Sequence, residues 1–142
     1  LPSFLTVSGI FLGLMNALIF DFFIDFNNFT FLKYSILGSV LGYLIFKLMG
    51  LFGEFIFKKP VLGNGDSKLA AMIGAWLGVK GLLITTWLAF NTAGIFVICG
   101  LVFKKLDKAQ KIPFGIFLSL NGYLVWTLGN EFFIKNIYFL KY

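Results

Sequence analysis

The chain has 142 residues, of which 59% are hydrophobic and only 13% charged, and its mean hydropathy is +0.93. Soluble domains carry about 25% charged residues, so a soluble globular enzyme is excluded and an integral membrane protein is expected. The net charge of +6 comes from twelve lysines set against six acidic residues, with no arginine and no histidine; this is not the Arg-rich polar surface that a nucleic-acid partner would need.

A helix needs about 20 mostly apolar residues to cross a bilayer, and five candidate segments follow in chain order. The first covers roughly 4–23 and the second roughly 35–57, with Lys47 and Glu54 inside it. The third, roughly 67–79, is short and starts at a glycine-rich turn. The fourth covers roughly 81–103 and the fifth roughly 113–130. The tail 131–142, aromatic with spaced charges, reads as an interfacial segment. The predicted fold is therefore an all-α, polytopic membrane bundle of about five segments in one domain, 1–142, with lipid around it.

The loops between segments differ in charge. Lys58 and Lys59 lie on one, and Lys104, Lys105, Lys108 and Lys111 on another, with Lys68 just inside the third segment. The opposite set, 24–34, the turn at 80–81 and the tail, holds only Lys33, Lys80, Lys135 and Lys141. The positive-inside rule places the lysine-rich set in the cytoplasm. Three Gly-x-x-x-Gly patterns, Gly9/Gly13, Gly38/Gly42 and Gly74/Gly78, fall on the first three segments. This spacing lets helix backbones touch. Tight internal packing is the expectation, with oligomerisation the minority reading and the oligomeric state left open. The single cysteine, Cys99, permits neither an internal disulfide nor a cysteine-based zinc site. It reads as a buried thiol, and no metal or cofactor is expected.

Six acidic residues remain as candidates for chemistry. Asp107 sits among lysines and Glu131 near an interface. Asp21 and Asp25 end the first segment and read as solvated helix-end residues on the outer side. Glu54 is placed to pair with Lys58 one turn later or to snorkel. Asp66 differs from all of these. It follows Gly63 and Gly65, opens the third segment at the cytoplasmic membrane edge, and lies near the positive end of a helix dipole. Carboxylates at membrane depth are costly and mark function by default.

Gly63-Asn64-Gly65-Asp66-Ser67-Lys68-Leu69 resembles the Gly-x-Gly-Asp-x-Lys-Leu signature of the type IV prepilin peptidases and their preflagellin-peptidase relatives, which are membrane aspartic proteases. Leu1-Pro2-Ser3-Phe4-Leu5-Thr6, Gly74-Ala75-Trp76-Leu77-Gly78 and Ile112-Pro113-Phe114-Gly115 resemble three further family blocks, in the same order. The resemblance implies cleavage of the basic leader of prepilin-like proteins at the cytoplasmic face by two aspartates, with Asp66 as the second of the pair. Gly63, Gly65, Lys68, Pro113, Phe114 and Gly115 are the motif positions expected to help place substrate; for Lys68 the other reading is a lysine snorkelling to anionic headgroups, and for Pro113 and Gly115 it is structural duty alone. The family's first aspartate precedes the Leu-Pro block. The sequence is therefore expected to be an N-terminally truncated piece carrying half the pair, inactive alone, and the family's cysteine-rich methyltransferase domain has no match in it. Two other readings compete. One is a non-catalytic scaffold descended from the family. The other is a small transporter subunit, which should show paired interrupted helices in two related halves; no such repeat is visible.

Overall fold

The computed structural model describes residues 3–24, 29–58, 63–103, 114–129, 131–132 and 135. Among the described residues there are four helices: α1 (Ser3–Ile24), α2 (Thr30–Phe57), α3 (Asn64–Val102) and α4 (Phe114–Leu128). No strand occurs among the described residues. The first three are long and apolar enough to cross a membrane, as a membrane bundle requires.

α3 is two helices, not one. At Gly78 the backbone takes φ 68, ψ −172, a region open essentially to glycine alone. The second arm, 79–102, runs back beside the first, 64–77. Leu82 and Ala89 of the second arm share one core with Leu69, Ala70 and Ile73 of the first. The ring of Phe90 lies 5.0 Å from that of Phe114, next to the residue that abuts Asp66. With this break the five expected segments are all present. The sequence placed the turn at 80–81, whereas Lys80 and Gly81 are helical and Gly81 is buried. Gly81 packs; Gly78 bends. At 1.5 Å per residue the first arm is about 21 Å long and α4 about 22 Å, both short of a hydrocarbon layer of about 30 Å.

Glycines join the first three helices. A Cβ on Gly38 would lie 2.5 Å from the carbonyl oxygen of Gly74, and one on Gly42 would lie 2.6 Å from that of Ala70. Residue numbers rise on α2 as they fall on α3, so α2 and the first arm are antiparallel and nearly in backbone contact. On α1, Gly9 faces Met72 and Gly13 faces Trp76, so α1 runs parallel to the first arm. The Gly-x-x-x-Gly patterns thus serve internal packing. Without a hydrophobic drive inside lipid, such contact is a main source of helix association.

Asp21 departs from the expectation of a solvated residue. It is fully buried. Its Oδ1 accepts the Phe31 N–H at 3.1 Å and its Oδ2 the Leu32 N–H at 2.8 Å. These are first-turn donors of α2 that have no partner within their own helix. Phe29, at the N-cap, takes a left-handed conformation and supplies no side-chain cap, so the cap comes from α1. This also extends α2 to Thr30, ahead of the expected start near residue 35. Asp25 lies outside the described residues. Cys99 is exposed, not buried: it stands on the outer face of a helix that is apolar all round, where burial cannot be read from composition. Glu54 and Lys58 are both exposed, and no ion pair joins them among the described residues. Lys47 donates to the Tyr43 hydroxyl at 3.0 Å.

Candidate active site

Asp66 is the third residue of α3. Its backbone N–H closes the turn onto the Gly63 carbonyl at 3.0 Å, and the Ser67 hydroxyl donates to the Asn64 carbonyl at 3.0 Å. Gly63 has extended dihedrals and supplies no side-chain cap. The half-buried Asp66 carboxylate is turned toward α4. A Cβ on Gly115 would lie 2.8 Å from Asp66 Oδ1, and the Gly115 backbone N–H approaches the same carboxylate.

Two helix starts therefore meet at one carboxylate. α4 and the first arm of α3 are parallel: Gly115 abuts Asp66 and Leu69, and Gly122 abuts Ile73. Each helix begins with backbone N–H groups that lack internal partners and with the positive end of its dipole. Asp66 thus faces α4's first turn across a helix–helix contact.

The other expected site residues are placed as follows. Gly63 is exposed at the turn, and a Cβ on it would meet only the Gly65 nitrogen, at 3.9 Å. Gly65 and Lys68 are helical and half-buried. Phe114 joins the core: its ring lies 6.0 Å from Phe46 and 5.0 Å from Phe90, tying α4 to α2 and to the second arm of α3. Pro113 lies outside the described residues. The structure brings Asp66 and Gly115 into contact and stacks Phe114 beside them.

An apolar groove of ≈ 320 Å³ runs between α4 and the first arm of α3, starting at Leu69 one turn from Asp66 and lined farther on by Met72, Trp76, Tyr123 and Trp126. Sequence reading gave Trp76 no role of its own, yet its indole N–H donates to the Gly9 carbonyl of α1 at 2.9 Å. The signal available was a tryptophan within a helix bearing small residues. No group of three or more His, Cys, Asp or Glu able to hold a metal occurs among the described residues.

A membrane helical bundle with a carboxylate on a Gly-x-Gly-Asp turn defines the class, and comparison with known proteins agrees. The Type IV leader peptidase family matches residues 1–99, and the chain belongs to that family. The chain is 33% identical over 132 residues to the prepilin leader peptidase/N-methyltransferase of Xanthomonas campestris, covering 92% of this chain and 43% of the relative. The protein of the same description from Neisseria gonorrhoeae is 32% identical over 131 residues, covering 92% and 42%. That of Pseudomonas aeruginosa is 30% identical over 132 residues, covering 92% and 43%. The chain spans less than half the length of these curated relatives. No solved structure matches it.

Proposed function

We propose that the protein to which this chain belongs is an aspartic endopeptidase of the cytoplasmic membrane that cleaves the basic leader of type IV prepilin-like proteins at the cytoplasmic face, with Asp66 as one of its two catalytic carboxylates. The observation that carries this reading is the convergence of two helix starts and the Gly115 N–H on Asp66. In the reaction, a water held between two carboxylates attacks the scissile carbonyl. The ionised carboxylate takes the water's proton and the protonated one donates to the carbonyl oxygen. Two close carboxylates divide these roles because they do not readily both ionise.

The partner carboxylate is proposed to lie before Leu1, where the resemblance places it. Packing supports this end of the molecule. Gly9 pairs with Met72 and Gly13 with Trp76, and the same offset sets Ser3 level with Asp66. Asp21, at the other end of α1, is about 27 Å along the axis from that level at 1.5 Å per residue. Glu54 is exposed and stands about 12 Å beyond the level of Asp66 along α2 by the same rise. Neither is placed to share a proton with Asp66. Lys68 and the glycines of the turn are assigned to substrate contact and close backbone approach, and Pro113 to starting α4, where a missing N–H costs nothing. Relatives are described as peptidase and N-methyltransferase; the proposal covers the peptidase reaction.

The test is Asp66→Asn in the full-length protein, assayed on a prepilin-like substrate in proteoliposomes. Asparagine preserves shape and still accepts the Gly115 N–H, but it cannot ionise. Loss of cleavage with normal insertion is the expected result. Cleavage near the wild-type rate would overturn the assignment.

A further inference from the structure

We propose that Trp76 is a positioning residue for the Asp66 site: its indole bond to Gly9 holds the end of α1 that lies beside Asp66. This inference rests on the peptidase reading above. α1 packs on the first arm of α3 through small residues. Gly9 receives Met72, and Gly13 receives Trp76, with Cδ1 2.8 Å and Nε1 2.9 Å from where a Cβ would stand. Such a surface is smooth and carries little directional information. Among the described residues, one side-chain hydrogen bond joins α1 to α3, from Trp76 Nε1 to the Gly9 carbonyl oxygen at 2.9 Å.

The second anchor of α1 is at its far end, where buried Asp21 holds the first turn of α2. α1 is thus pinned at Asp21 and at Gly9, and its first turn projects past the second pin toward the level of Asp66. Gly9 is about 18 Å from Asp21 and Ser3 about 27 Å, at 1.5 Å per residue. If the Gly9 pin is released, α1 pivots on Asp21 and the Ser3 end moves most. A displacement of about 1 Å at a reacting geometry can cost about 100-fold in rate.

Anchoring at the water interface is the ordinary role of a membrane tryptophan, and it does not call for the indole N–H to be given to a neighbouring helix, as it is here. Trp76 pairs with Gly13, halfway along α1 (Ser3–Ile24). It also borders the cavity between α1 and α2 lined by Gly13, Asn16, Phe31 and Ser35, so it stands between the groove beside α4 and the α1–α2 contact. The acceptor of this indole N–H, the Gly9 carbonyl, lies on the helix that leads to the Asp66 end.

The test uses full-length protein with Trp76→Phe, which keeps an aromatic ring in the slot and removes the N–H, beside wild type and Asp66→Asn. The expected result is a fall in kcat of roughly tenfold or more, with KM within about twofold and thermal stability little changed. Pulsed electron-spin distances in a cysteine-replaced background give the structural readout. Phe4, Phe23 and Phe55 are 80%, 81% and 86% exposed and accept labels. In Trp76→Phe the Phe4–Phe55 distribution should broaden or shift while Phe23–Phe55 stays unchanged. Wild-type kcat in Trp76→Phe, or a lowered kcat with both distributions unchanged, would overturn the positioning role. Activity in Asp66→Asn would instead overturn the peptidase assignment of Asp66, whatever Trp76→Phe does.

Discussion

Gly115 and Asp66 meet at the start of two helices with no room between them: a methyl group on Gly115 would lie 2.8 Å from Asp66 Oδ1. Gly115→Ala must push the carboxylate aside or separate α4 from α3. Cleavage by the full-length protein should fall roughly 10- to 100-fold, measured as kcat/KM on a prepilin-like substrate. Gly94→Ala is the matched control, because nothing lies within 4 Å of a Cβ there, and it should be neutral. Equal activity of the two variants would show that Asp66 tolerates displacement, and with it that Gly115 has no part in the site.

The contact between Gly38 and Gly74 is tighter still, since a Cβ on Gly74 would overlap the Gly38 carbonyl. Both neighbours are backbone and cannot rotate away. Gly74→Ala should therefore destabilise the protein by about 1–3 kcal/mol or more, the usual cost of overpacking. Gly9→Ala should be milder, because its obstacle is the flexible Met72 side chain. Denaturant unfolding in detergent micelles would order the two variants, and a larger loss in Gly9→Ala would contradict this view of the α2–α3 contact.

Most of this fold could be read from apolar run lengths, because a bilayer demands continuous apolar helices and leaves few alternatives. The Asp66 turn was legible for a related reason: a carboxylate between glycines at a helix start is rare and costly in an apolar chain. Four features were not legible. Burial of Asp21 requires α2 to begin beside the end of α1. The bend falls at Gly78 and not at Lys80-Gly81 because Gly81 is used in packing. Cys99 faces outward because a helix that is apolar all round gives no periodic sign of its inner face. The link from Trp76 to Gly9 spans 67 positions and has no local signature.

Asp21 and Asp66 mark opposite ends of the bundle, about 27 Å apart along α1 at 1.5 Å per residue. Together with the lysine asymmetry, this predicts that Asn28 and Lys108 lie on opposite sides of the membrane, with Lys108 on the same side as Gly63. Single cysteines at Gly63 and Lys108 in a Cys99→Ser background should label from the same side, and one at Asn28 from the other. Labelling of Asn28 and Lys108 from the same side would sink this topology and the assignment of Asp66 to the cytoplasmic face.

Asp21 is the carboxylate whose loss should damage the fold and spare the chemistry. Each oxygen accepts one first-turn N–H of α2, at 3.1 and 2.8 Å, in a site closed to solvent. Asparagine has one acceptor oxygen, so its NH2 group would face one of the two donors. A buried donor left unpaired costs about 1–3 kcal/mol. Asp21→Asn should lower stability by about that amount, whereas Asp21→Leu, which leaves both donors unpaired, should lower it further. The folded fraction of Asp21→Asn should still cleave substrate at close to the wild-type kcat, since this residue lies at the far end from Asp66. Unfolding midpoints and kcat per folded molecule, measured on the same preparations, separate the two effects. A variant as stable as wild type but unable to cleave would move Asp21 from the frame of the molecule into its active site.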